Sequence, residues 1–236
     1  MMNILTNIWN RRSYFRSFFK TVYFNFHYLP FSQAIHLPIL LYKPRFLGLK
    51  GTVVIQCLGG VKCGMIKLGF DKVSIFPNNG IMWENRGGTI IFHGNCSVGN
   101  NSSLSIGEKG ICEFGTNMCA TTTFRVACYH KVLIGDNVSF GWDCMVIDTD
   151  FHKLTKLAGG YNKGYAPIMI GNNNWFGNGC LIMKRTVTPN YCTISAKTVL
   201  SERVEAPEYS VIGQKNDIEI KSTGIYRNFK DDKITF

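Results

Sequence analysis

Ile170-Gly171-Asn172-Asn173-Asn174-Trp175-Phe176-Gly177-Asn178-Gly179-Cys180-Leu181-Ile182 places a large apolar residue at every sixth position: Ile170, Phe176 and Ile182. The beat continues through Thr188, Ile194, Leu200, Ala206, Ile212 and Ile218, and only Thr188 in that series is polar. Four residues after each comes a mostly small one: Asn174, Cys180, Thr186, Cys192, Thr198, Val204 or Ser210. A period of six fits one short strand and one turn, so three hexads close a triangular coil of eighteen residues. Such periodicity marks a parallel β-helix. Coils stacked at about 4.8 Å would give about nine layers and a prism of roughly 40–45 Å. The expected class is therefore all-β, with single layers of Ile, Val, Leu and Phe stacked inside.

Upstream, Ile134, Phe140 and Val146 carry the same beat, with Val138 and Cys144 in the small position. Before them come Phe92, Val98 and Leu104, and, after slips of about two residues, Phe114, Ala120 and Val126. Between the two regular blocks lies Val146-Ile147-Asp148-Thr149-Asp150-Phe151-His152, followed by about fifteen residues of no regular pattern. An unbroken beat would put Asp150 in the next small inward position and His152 in the next large one. Unpaired ionisable groups in a dry core cost several kcal/mol each. The coil must therefore break here and turn these side chains outward.

The 236 residues carry a net charge of +11, placed unevenly. Residues 1–70 contain nine Lys/Arg and no Asp or Glu. Such an end suits an anionic surface. No zinc-finger, RNP or helix-turn-helix spacing is present, which makes nucleic acid the least suited partner. Residues 3–28 read as helical, with Ile8, Trp9, Phe15, Phe18, Phe19, Val22 and Phe26 at helical spacing among Arg11, Arg12, Arg16 and Lys20. Two roles are open to this segment. Its apolar face can close the open end of the repeat stack, or it can lie on an anionic membrane. The nine cysteines form no CxxC pair, and Cys96, Cys144, Cys180 and Cys192 fall on small inward positions. They read as buried apolar residues in a reducing, cytoplasmic setting. The expected organisation is a helical cap and connector over 1–48, a β-helix over 49–220 with a protruding loop at 148–167, and a tail over 221–236 read as a short helix or a strap.

The hexads Ile134-Gly135-Asp136-Asn137-Val138 and Ile170-Gly171-Asn172-Asn173-Asn174-Trp175-Phe176-Gly177, with Asp148-Thr149-Asp150-Phe151-His152 between them, resemble the hexapeptide-repeat acyltransferases. The likeness is to their sugar O-acetyltransferase branch, which includes maltose and galactoside acetyltransferases. It implies a left-handed β-helix, a homotrimer, acetyl-CoA as donor, a sugar or polysaccharide-precursor hydroxyl as acceptor, and no metal. Handedness comes only from the resemblance, since most β-crossovers are right-handed.

The same resemblance implies His152 as general base, because imidazole can take the proton of an attacking hydroxyl. Asp143 or Asp150 would orient it, a choice the sequence leaves open. Trp142 and Asp148 would face the acceptor. Trp175, Gly177, Asn178, Ala196 and Ser201 would border the CoA arm, and Lys215 would meet its phosphates. Gly177-Asn178, Ser195-Ala196 and Gly213-Gln214 are eighteen residues apart and should stack along one edge. The segment Gly213-Gln214-Lys215-Asn216-Asp217 departs from the Gly-Asn-Pro-Ala-Lys common in the family, which bears on the phosphate contacts. His93 and His130 read as structural. N-acetylation of an amino sugar and a non-catalytic scaffold are the rival expectations.

Overall fold

A computed structural model describes residue 15, residues 17–70 and 73–214, and the backbone of residues 225–227. The expected apolar positions form three parallel ladders. On the first face, Leu41, Leu68, Val98, Ala120, Phe140, Phe176, Ile194 and Ile212 are successive partners. The second face stacks Phe46, Trp83, Leu104, Val126, Val146, Ile182 and Leu200. The third stacks Ile55, Phe92, Phe114, Ile134, Ile170 and Thr188. The chain visits the faces in turn, and the sheets hold eight, seven and six strands. This is a parallel β-helix.

The layers are made of like on like. Phe92 stacks on Phe114 with ring centroids 5.2 Å apart, and Phe140 on Phe176 at 4.7 Å. Cys96, Cys144, Cys180 and Cys192 fill their inward slots as buried free thiols.

The coil is not eighteen residues throughout. Phe92 pairs with Phe114, twenty-two residues on, and Phe114 with Ile134, twenty residues on. Only from Ile170 to Thr188 does the eighteen-residue step begin. Longer coils upstream account for the slipping beat and reduce the number of layers. Among the described residues, the eight strands on the longest face span about 34 Å at 4.8 Å per step, where about nine coils are expected through residue 220.

The corners explain much of the Asn and Asp content. Asn117, Asn137, Asn173, Tyr191 and Tyr209 occupy one corner row, each with φ between 54 and 64°. Asn tolerates this left-handed backbone better than most residues. Its amide also bonds from coil to coil, Asn117 Nδ2 to Asn137 Oδ1 at 3.2 Å and Asn137 Nδ2 to Asn173 Oδ1 at 3.1 Å.

The first strand, Ile39–Leu41, begins inside the segment read as connector and leaves one edge without a neighbour. The helix through residues 17–28 closes that edge with polar side chains, not with the apolar face expected of it. Asn25 Oδ1 accepts from Ile39 N (3.1 Å) while its Nδ2 donates to Ile39 O (2.7 Å). Thr21 Oγ1 accepts from Leu41 N (3.0 Å), and Ser17 Oγ accepts from Lys43 N (2.9 Å). Four helical residues rise about 6.0 Å and two strand residues about 6.6 Å, so the 17, 21, 25 row matches the 39, 41, 43 row. Beneath it Phe24, fully buried, meets Trp83 edge-to-face at 4.8 Å.

Asn25→Ala orphans both polar groups of Ile39 on a buried edge. The expected loss is about 2–4 kcal/mol, read as a lowered denaturant midpoint. A change under half a kcal/mol would mean that water replaces the amide.

Candidate functional site

The break in the repeat forms a side structure anchored at its base. Ile134 pairs with Ile170, thirty-six residues on, so one coil carries an eighteen-residue excursion. Asp148 and Thr149 leave the second face, Thr149 bridges Tyr165, and Asp150 N donates to Gly164 O at 2.7 Å. Beyond the bridge, Leu154–Lys156 pairs antiparallel with Tyr161–Asn162, and Ile225–Arg227 adds a third antiparallel strand on its other side. The stretch without a repeat is thus a small antiparallel sheet. Part of the tail expected to be a helix or strap is a strand of it.

Asp148 and Asp150 take opposite sides of the break. Asp148 is fully buried, and its two oxygens accept from Tyr129 N (2.8 Å) and His130 N (2.7 Å). Burial pushes its carboxyl above the ordinary aspartate range, opposed by those backbone N–H groups. The expectation that Asp148 faces an acceptor is therefore corrected: its carboxylate holds the preceding coil's turn together, and no substrate reaches it. Asp150 does turn away from the core, where both its oxygens lie 2.6 Å from Lys184 Nζ. The pair is mostly buried, with side chains 15% and 22% exposed. Sequence reasoning passed over Lys184. Its signal was register, since Ile147 pairs with Met183 and places Lys184 one coil beyond Asp148.

His152 follows at the root of the loop, half-buried. The residue before it, Phe151, has φ 59° and is 41% exposed. A left-handed aromatic residue costs on the order of 1–2 kcal/mol, and such strain tends to gather at functional positions. The Phe151 ring packs edge-to-face on Tyr129 at 4.8 Å, so the strained residue and the Asp148-bound turn support each other. Behind them His130 contacts Tyr165 with ring centroids 4.9 Å apart.

Burial, aided by Lys163 and Lys131 and opposed by Asp148, holds the His130 imidazole below its ordinary 6.5. With a folded value below the unfolded one, its contribution is present above 6.5 and lost as pH falls through the folded value. The stability difference between wild type and His130→Gln is therefore expected to stay flat above pH 7 and shrink below 6.5. Denaturant midpoints across that window check it, and a difference that widens on acidification would refute it.

The other sequence-selected residues occupy a different edge. Gly141-Trp142, Gly177-Asn178, Ser195-Ala196 and Gly213-Gln214 stack in register at the corner between the first and second faces. Gly177 is buried, and a Cβ there would stand 2.6 Å from Ala196 N, so close coil packing alone demands glycine. Asn178 Oδ1 accepts from Trp142 N at 3.1 Å. Trp142 meets Phe76 edge-to-face at 5.6 Å. Ala196 and Asn178 are exposed, and Trp175 is 56% exposed on the first face. Asp143 (φ 57°) sits at this corner with Arg125 Nη2 4.0 Å from its carboxylate. Its row mates Asn101 (φ 55°), Thr123 (φ 54°), Gly179 (φ 69°) and Lys197 (φ 63°) share the left-handed backbone, which accounts for an Asp here without chemistry.

His152 and Asp150 belong to the opposite edge of the second face, with Ser201, which follows the Val199–Leu200 strand there and is exposed. Lys215 lies outside the described residues. The chain thus presents the predicted base and the predicted donor column on two edges of one face.

A separate concavity of about 720 Å³ opens beneath the 56–65 segment, lined by residues including Cys57, Lys62, His93 and Asp136. His93 Nε2 stands 2.8 Å from Glu113 Oε2.

No protein-family model matches the chain, and no curated protein sequence does. Among solved structures, it is similar to the polySia-specific acetyltransferase NeuO, with a TM-score of 0.45 and 16% identity over 78% of this chain and 88% of that one. It is also similar to a maltose O-acetyltransferase from Clostridium difficile 630, with a TM-score of 0.35 and 16% identity over 81% of this chain and 71% of that one.

Proposed function

We propose that the protein is an acetyl-CoA-dependent O-acetyltransferase acting on a sugar hydroxyl, in the synthesis of a surface polysaccharide, with His152 as general base. The observation that carries this reading is the position of His152. It stands half-buried beside a strained Phe151, on a loop root fixed by Asp148, by the Asp150–Lys184 pair and by the Thr149–Tyr165 bridge. A base must be held in place to act.

His152 would take the hydroxyl proton as the oxygen attacks the thioester carbonyl. A backbone N–H would meet the oxyanion, and the imidazolium would return the proton to the departing CoA thiolate. Asp150 shares the loop with His152 and would be the carboxylate that orients it; its link to Lys184 holds it still. The column of Asn178, Ala196 and Gln214, flanked by exposed Trp175, would border the extended pantetheine arm. Because base and column lie on opposite edges of one face, the working unit would be a homotrimer in which a neighbouring copy brings them together. The location would be cytoplasmic.

One observation favours a second reading. The His93–Glu113 pair beside the 720 Å³ concavity is the alternative base. CoA release from acetyl-CoA against mono-, oligo- and lipid-linked sugars, with His152→Ala and His93→Ala in parallel, separates the two. Loss of release in His93→Ala alone would move the site. Amino-sugar acceptors in the same panel separate O- from N-transfer. A protein that neither gains thermal stability with acetyl-CoA nor releases CoA would be a scaffold.

A further inference from the structure

The end-capping helix turns a polar row and Phe24 inward and leaves its other phenylalanines outside. Ser17, Thr21 and Asn25 face the prism, while Phe15, Phe18, Phe19, Tyr23 and Phe26 point outward and are 46–65% exposed. An ordinary surface helix does the reverse. The outward rings form one patch, with Phe15 and Phe19 centroids 4.8 Å apart and Phe18 and Phe19 5.9 Å apart. Phe31, 72% exposed, extends the patch from 5.9 Å beyond Phe26. Contiguous exposed apolar surface of this kind marks an interaction site.

The charge around it selects the occupant. Residues 1–70 hold nine Lys/Arg and no acid. Lys20 reaches Pro44 O at 2.8 Å, next to the exposed Arg45, and Lys50 is exposed at the far end of the same strand. A second copy of this chain would bring the same cations against themselves, which like-charge repulsion opposes. No helix among the described residues is long and apolar enough to cross a bilayer. We propose that this end of the prism docks on an anionic bilayer surface, with the aromatic face of the helix in the headgroup–acyl boundary and the surrounding cations on the lipid phosphates. Aromatic rings with flanking cations are the composition that lies in that interface.

This inference is independent of the catalytic reading. The full chain is sedimented with phosphatidylcholine vesicles with and without phosphatidylglycerol. Retention is expected to be at least tenfold greater on the anionic vesicles and to fall as salt rises. The double variant Phe18→Ser/Phe19→Ser, whose rings contribute little to the core, is expected to keep its melting temperature and lose at least tenfold in retention. Phe26→Ser supplies a second test should the double variant misfold. Equal retention on both vesicle types, or variants retained like wild type, would overturn the proposal. So would a change in oligomeric state of the variants without lipid, which would mark the patch as an interface between copies.

Discussion

His152→Ala is expected to lower acetyl transfer by at least about a hundredfold, the lower end for removal of a general base, with little change in melting temperature. The small stability effect follows from its half-buried place at the loop root, where the backbone is held by its neighbours. The Thr149–Tyr165 bridge, the Asp150 N–Gly164 O bond and the Asp150–Lys184 pair remain without it. The kinetic effect follows from chemistry. A sugar hydroxyl is a weak nucleophile until its proton has somewhere to go, and water is a poor substitute for a positioned imidazole. The fall should appear in kcat and in kcat/KM alike, with acetyl-CoA binding unchanged, because the lost interaction is made in the transition state. Full activity in His152→Ala would end the assignment, and an equal fall in His93→Ala would show that the loop alone does not define the site.

The sequence revealed the inward ladders well, because every layer needs a large apolar residue at a fixed step and little else can fill it. Phe140, Phe176, Ile194 and Ile212 are partners as their spacing implied. It misled where two physical demands compete. Helical spacing divides residues 17–28 into an aromatic and a polar side, and burial of apolar area favours turning the aromatic side inward. The free backbone of Ile39, Leu41 and Lys43 needs donors and acceptors more, and Ser17, Thr21 and Asn25 supply them. No local pattern announces that demand, since it arises only when the strand becomes an edge. Lys184 was missed for a similar reason, its partner Asp150 lying thirty-four residues away across a loop of unpredictable course.

Asp148 was misread because the resemblance set it facing an acceptor, while its true partners lie on the preceding coil; its removal is the most exacting test of the loop. The backbone N–H groups of Tyr129 and His130, both part-buried, donate to its two oxygens. Asp148→Ala strands both and opens a small void, for an expected loss of about 3–4 kcal/mol. The tie between the turn at Tyr129 and the root of the loop goes with it, so transfer activity should fall even where the protein stays folded. Asp148→Asn keeps one acceptor and the volume but turns an amide N–H toward a donor, and should cost less.

The pH dependence distinguishes a buried acid from an ordinary salt-bridge carboxylate. Burial raises the folded pKa above the unfolded value of 3.8. The favourable contribution is therefore complete below 3.8 and declines as pH rises through the folded value. The stability gap between wild type and Asp148→Asn should be widest near pH 3 and narrow toward neutrality, measured by denaturant midpoints. A gap that widens toward neutrality would mean that the two N–H bonds outweigh burial and that the ionised carboxylate is the form the fold prefers.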